Sequence, residues 1–91
     1  MKGKWNLVRI SSGHLSCENA SLESRDIVKV EEIIEEHFGV GILNRKNILV
    51  YWDWCAGVYI MPNILGEASM SKGDKFVKEI YEFLKNSENS D

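Results

Sequence analysis

The sequence predicts an α+β fold: one domain with elements in the order β-α-β-β-β-α, a mainly antiparallel sheet and two helices packed on one face. Three observations lead there. Residues 47–63, NILVYWDWCAGVYIMPN, place seven strand-forming residues and then four more on either side of Cys55-Ala56-Gly57, the pattern of a β-hairpin with a short glycine-bearing loop. Two other stretches repeat apolar residues at three- and four-residue steps, the mark of amphipathic helices. And 91 residues are enough for one core, burying roughly 60–65% of the surface the unfolded chain exposes, but not for two.

Lys4–Ile10 reads as the first strand, with Val8 and Ile10 on one side and Trp5 and Leu7 on the other. Ser11-Ser12-Gly13 ends it, and the small polar residues 11–20 read as a loop. The first helix spans about Ser24–Phe38 on the stripe Ile27, Val30, Ile34 and Phe38, with Ser21 or Ser24 as N-cap and Gly39 as its stop. Val40–Leu43 reads as a short strand and Asn44–Asn47 as a turn. The hairpin follows, and Pro62, lacking an N–H, marks the end of its second strand or a sheet edge. After a connection over 63–70, Ser71-Lys72-Gly73-Asp74 resembles a capping box for a helix whose stripe is Phe76, Val77, Ile80, Tyr81, Phe83 and Leu84. The domain is taken as 1–85, with 86–91 (NSENSD) a polar tail lacking an apolar anchor and expected to be disordered.

Composition narrows function. The net charge of −3 opposes non-specific binding to nucleic acid or an anionic membrane, which need a positive field. No apolar run approaches the ~20 residues of a membrane span, and Asn6 and Arg9 interrupt any signal-peptide core, so the cytoplasm is the expected compartment. Cys17 and Cys55 form no CxxC pair and are expected as reduced thiols.

The hairpin is the leading candidate site. Ile48, Val50, Trp52 and Trp54 point one way from its first strand and Leu49, Tyr51 and Asp53 the other; Tyr59 and Met61 oppose Val58 and Ile60 on the second. Two helices can cover only one of these faces. The other is covered either by the segments 11–20 and 63–70 folding over it or by a partner, or it lines a ligand pocket. On the partner reading the candidate binding residues are Tyr51, Trp52, Asp53, Trp54, Tyr59 and Met61, since several large aromatics exceed the apolar patch a monomer usually exposes. The second candidate is the first helix. From Glu18 to Glu36 seven acids face only Arg25 and Lys29, and Glu31, Glu32, Glu35 and Glu36 share one side. Such a row is ordinarily a solvated face; as a functional surface it would steer a basic target.

Other constellations are thinner. His14 and Cys17 could activate a thiolate, or join His37 and Cys55 on zinc, but a zinc site would consume every His and Cys in the chain. Asp53 between two tryptophans is either an acid–base group with a raised pKa or, more commonly, a turn cap. Gly39-Val40-Gly41 lacks the third glycine of a dinucleotide fingerprint. The expected order from the first helix onward, α-β-β-β-α, is similar to that of double-stranded RNA-binding domains. That family's lysine cluster is here reduced to Lys72 and Lys75 around Gly73 and Asp74, so the similarity implies topology only.

The expectation is a small acidic protein, not an enzyme and without cofactor or metal, that inhibits or neutralises a macromolecular target by occlusion, in the manner of an immunity or phage anti-defence protein. Its partner is expected to be a protein, such as a nucleic-acid-binding enzyme with a basic surface, and a homodimer is the other way to cover the aromatic face. The alternatives are a nucleic-acid-binding module with a basic edge built from Lys2, Lys4, Arg9, Arg45 and Lys46, and a small enzyme or nucleotide-binding protein using His14, Cys17 and Asp53.

Overall fold

The structure, a computed structural model, describes residues 1–63 and 70–88, with side chains described through 63 and over 73–87. Four antiparallel strands, β1 (Asn6–Arg9), β2 (Leu15–Asn19), β3 (Ile48–Asp53) and β4 (Gly57–Pro62), form one sheet in the order β1-β2-β4-β3. The helices α1 (Ile27–Phe38), α2 (Ile42–Arg45) and α3 (Met70–Glu88) complete the chain, and both long helices pack on the sheet: α1 against β3, α3 against β2 and β4. The α+β class and the antiparallel sheet are as the sequence implies. The element order is not; it runs β-β-α-α-β-β-α.

Two segments account for the difference. Residues 15–19 are a central strand rather than loop, paired with β1 on one side and β4 on the other. Ser, Glu and Asn have weak strand preference, but position in the sheet overrides it. Leu15, Cys17 and Asn19 point toward the helices; Cys17 is fully buried, and the buried Asn19 amide is satisfied because its Nδ2 donates to Lys2 O and its Oδ1 accepts from Ser21 N–H. The strand expected at 40–43 is instead one helical turn. Gly41 at φ 78° starts it, and Arg45 and Lys46 N–H donate to Gly41 O and Ile42 O. Consecutive Ile42 and Leu43 are both buried, which a strand's alternation would not allow. With that strand gone, the α-β-β-β-α order of an RNA-binding domain is absent.

Elsewhere the expected elements stand, with shifted ends. Helix α1 is preceded by a 3-10 turn, Ser24–Asp26, whose N-cap is Glu23 in a reciprocal capping box with Asp26, not Ser21 or Ser24. Gly39 stops α1 at φ 123°, where its N–H donates to Glu35 O. Helix α3 continues to Glu88, past the boundary at 85, and Ser87 Oγ donates to Phe83 O. The side chains of Ser71 and Lys72, the connection at 64–69 and the tail at 89–91 lie outside the described residues.

The core lies between sheet and helices. Val58 and Ile60 of β4, Cys17 of β2, Val30 and Ile34 of α1, and Val77 and Ile80 of α3 are wholly buried. Burying a branched or aliphatic side chain fully contributes about 1.5–3 kcal/mol. Asp74 ties α3 to the first hairpin: its Oδ1 accepts Leu15 N–H at 2.9 Å, and its carboxylate lies 3.6 Å from both Arg9 and His14 Nδ1. Asp74→Ala leaves that part-buried N–H without an acceptor and is expected to cost about 1–2 kcal/mol. Arg9→Ala, losing an exposed ion pair, should cost well under 1 kcal/mol. Urea melts of the two variants check the ordering.

Candidate functional site

Among the described residues the helices cover one face of the hairpin and leave the other without a helix; the segment 64–69 lies outside them. Period-two alternation puts Ile48, Val50 and Trp52 of β3 and Val58, Ile60 and Pro62 of β4 under the helices. Leu49, Tyr51 and Asp53, with Tyr59 and Met61, point to the other side, where no described helix lies. Tyr51 is 52% exposed, and its ring meets Tyr59 edge-on at 6.3 Å, a cross-strand pair on one rung. The register carries this face across the sheet: Glu18 stands beside Tyr59, and Val8 beside Ser16. Val8 is also exposed, but Ser16 beside it on β2 is 1% exposed and Glu18 is charged, so the exposed apolar groups on this face, Val8 on β1 and Tyr51 on β3, are separated by polar β2 residues.

Its electrostatics are negative. Partial burial, then Asp53, Tyr51 and Glu18, hold the Tyr59 hydroxyl above the usual tyrosine pKa of 10.0. Asp53 also shapes the turn: its Oδ1 accepts the N–H groups of Cys55 and Ala56 at 2.8 and 2.6 Å, an Asx-type cap. This ends β3 one residue short of the expected strand, so Trp54 is a turn residue, 90% exposed, and packs edge-on against Trp52 at 4.9 Å.

The structure thus divides the candidates. Tyr51, Asp53, Tyr59 and Met61 share the open face, while Trp52 is half-buried against the core on the opposite side and the exposed Trp54 of the turn packs on Trp52 rather than on the tyrosines. Glu18, Leu49 and Val8 complete the face; Glu18 and Val8 were hidden from the sequence reading because β2 read as a loop. The alternation of Leu15-Ser16-Cys17-Glu18-Asn19 was the available signal.

The acidic row lies on α1, which covers the other face of the sheet. Glu32 and Glu36 are exposed. Glu35 is already engaged, its Oε2 accepting Gly41 N–H at 3.0 Å. Glu31, half-buried beside it, has its carboxyl pKa raised, first by burial and then by Glu35. A raised folded-state pKa means that ionising Glu31 above pH 4.5 weakens the fold, while below that pH the carboxyl is neutral in both states. Glu31→Gln is therefore expected to stabilise the chain at pH 7 by a few tenths of a kcal/mol, about one like-charged helix pair. The gain should vanish below pH 4, a difference that melts at the two pH values reveal.

The remaining groups do not converge. Cys17 is buried in the core, Cys55 is exposed at the hairpin tip, and His37 stacks on Phe83 at 4.0 Å. His14 is buried beside Asp74, its Nδ1 without a hydrogen-bond partner. Among the described residues, no three His, Cys, Asp or Glu side chains come together as metal ligands. Nor does the basic set form one edge. Lys2, whose carbonyl accepts from Asn19, lies with Lys4 toward the hairpin-tip end of the sheet, while Arg9, Arg45 and Lys46 lie toward the end where β4 finishes. No described helix is long and apolar enough to cross a membrane. Comparisons with protein families, with curated proteins and with solved structures gave no match to this chain.

Proposed function

We propose that this chain is a non-enzymatic binding protein that inhibits or neutralises a macromolecular target, docking through the open face of its sheet and blocking the target by occlusion. The observation that carries this reading is the rung of Tyr51 and Tyr59, which no described helix covers, beside Leu49 and Met61 on the side of the sheet away from α1 and α3. Aromatic side chains of this kind dominate binding energy where they become desolvated. The helix acids Glu32 and Glu36 have a separate role, raising the association rate with a basic target without entering the contact.

The test is capture of the target from the native host with the tagged chain, followed by binding kinetics and inhibition of the target's own activity. Glu32→Lys combined with Glu36→Lys is expected to lower the association rate about tenfold at low salt and to flatten its salt dependence, with dissociation unchanged. An association rate equal to the parent's at low salt removes the steering role. Full inhibition by a chain lacking both face tyrosines removes the docking role.

A further inference from the structure

We infer that the occupant of the open face is an extended segment of a protein that presents arginine or lysine among apolar side chains, its cation seated over the Tyr51 and Tyr59 rings between Glu18 and Asp53. This rests on the reading of that face as the docking surface and adds the chemistry of what docks. The register places the groups. Glu18, Tyr59 and Tyr51 lie on one rung crossing β2, β4 and β3, and Asp53 is on the next rung of the same face, opposite Gly57. With strands about 4.8 Å apart and successive rungs of one face about 6.8 Å apart, the two rings stand on adjacent strands and the two carboxylate positions lie about 12 Å apart on either side of them. Both carboxylates act on one point, since Asp53 and Glu18 each help to raise the Tyr59 hydroxyl pKa.

Neither acid is neutralised from within. Among the described residues Glu18 and Asp53 form no ion pair. The four strands hold one cation, Arg9, and its partner Leu15 puts it on the opposite face. An aromatic face with two acids outside any ion pair, Asp53 keeping only Oδ2 free of its turn cap, attracts a cation through both ring quadrupole and charge, and the apolar Leu49 and Met61 beside it suit the residues flanking that cation. The same charges decide against the other occupants. A second copy stacked face to face sets Glu18 and Asp53 against like charges, and nucleic acid brings phosphates to carboxylates.

The experiment titrates the full, isotope-labelled chain with the peptide acetyl-Val-Arg-Val-Arg-Val-amide to millimolar concentration, following amide and tyrosine ring signals by NMR. The matched peptide with citrulline for arginine has nearly the same shape without the charge. The expected result is shifts confined to Tyr51, Tyr59, Glu18 and their neighbours, with at least fivefold weaker binding for the citrulline peptide and for Glu18→Gln against the arginine peptide. Equal binding of both peptides on this face overturns the cation while leaving the docking face intact. Shifts only around Glu32 and Glu36, or none, overturn the inference and count against the face itself. Face-confined shifts produced by a short RNA duplex, or by dimerisation seen in sedimentation, overturn the choice of a basic protein segment.

Discussion

Gly57→Ala is expected to cost about 3–5 kcal/mol, enough to leave much of a chain this size unfolded at 37 °C. Gly57 opens β4 at φ 73°, and a Cβ there would overlap Asn19 O and come within 2.6 Å of Ala20 Cα. These are backbone atoms of the adjoining β2 strand and the residue after it, so no rotamer relieves the overlap; β2 and β4 would have to separate where they pair through Asn19 and Val58. The left-handed backbone adds about 1–2 kcal/mol for alanine. Gly41→Ala isolates that second part. Its φ is 78°, yet the nearest atom to the new methyl is Arg45 Nη1 at 3.2 Å, the end of an exposed side chain. Gly41→Ala should therefore cost only about 1–2 kcal/mol. At about 4–8 °C per kcal/mol for this size, thermal melts separate the two variants; equal losses would mean that the close approach of β4 to Asn19 contributes nothing.

Removing both face tyrosines, Tyr51→Ser with Tyr59→Ser, should weaken target binding by about 100-fold or more while the fold survives. Individual aromatic anchors at the centre of an interface contribute about 2 kcal/mol or more, and losses at neighbours are not additive, so about 3 kcal/mol for the pair is the expectation. Stability should fall by no more than about 1 kcal/mol, the scale of one cross-strand pair, because neither ring belongs to the buried core. Trp52→Ala contrasts with this. That ring packs against the core from the helix side, so its loss appears first as a lowered melting point. Binding measured by calorimetry beside thermal melts places each residue on one side of this division.

These two predictions also mark what the sequence made legible. The hairpin was plain because its residues alternate on either side of a short turn that ends at Gly57, the first residue of β4, and Pro62 closes β4 as its missing N–H requires. Both long helices followed from their apolar periodicity, and Gly39 from its place after Phe38. Residues 15–19 were obscured because composition and position disagreed: Ser16, Glu18 and Asn19 suit loops, yet β1 and β4 supply the hydrogen bonds that make them a strand. At 40–43, four apolar-leaning residues are too few to show a period, and the positive φ of Gly39 and the left-handed Gly41 turn the chain into a helical turn there. Losing β2 from the reading also hid half of the candidate face. Glu18 becomes a neighbour of Tyr59 only once the sheet order is known, whereas Tyr51 and Tyr59 are brought together by the three-residue turn 54–56 of the hairpin itself. The choice between tryptophan and tyrosine faces required knowing that Val50 and Ile60, on the same side as Trp52, lie under the helices.

The most direct test of the docking face is site-specific photocrosslinking in the native host, with a benzophenone amino acid at position 51 or 59 compared with position 28 or 36. Val28 is 62% exposed and Glu36 is exposed, both on α1, so all four probes except the half-buried 59 begin freely accessible. Discrete adducts to the same macromolecule from positions 51 and 59, absent from 28 and 36, are the result expected. Adducts from α1 alone, with none from the tyrosine positions, would contradict the assignment of function to the open face of the sheet.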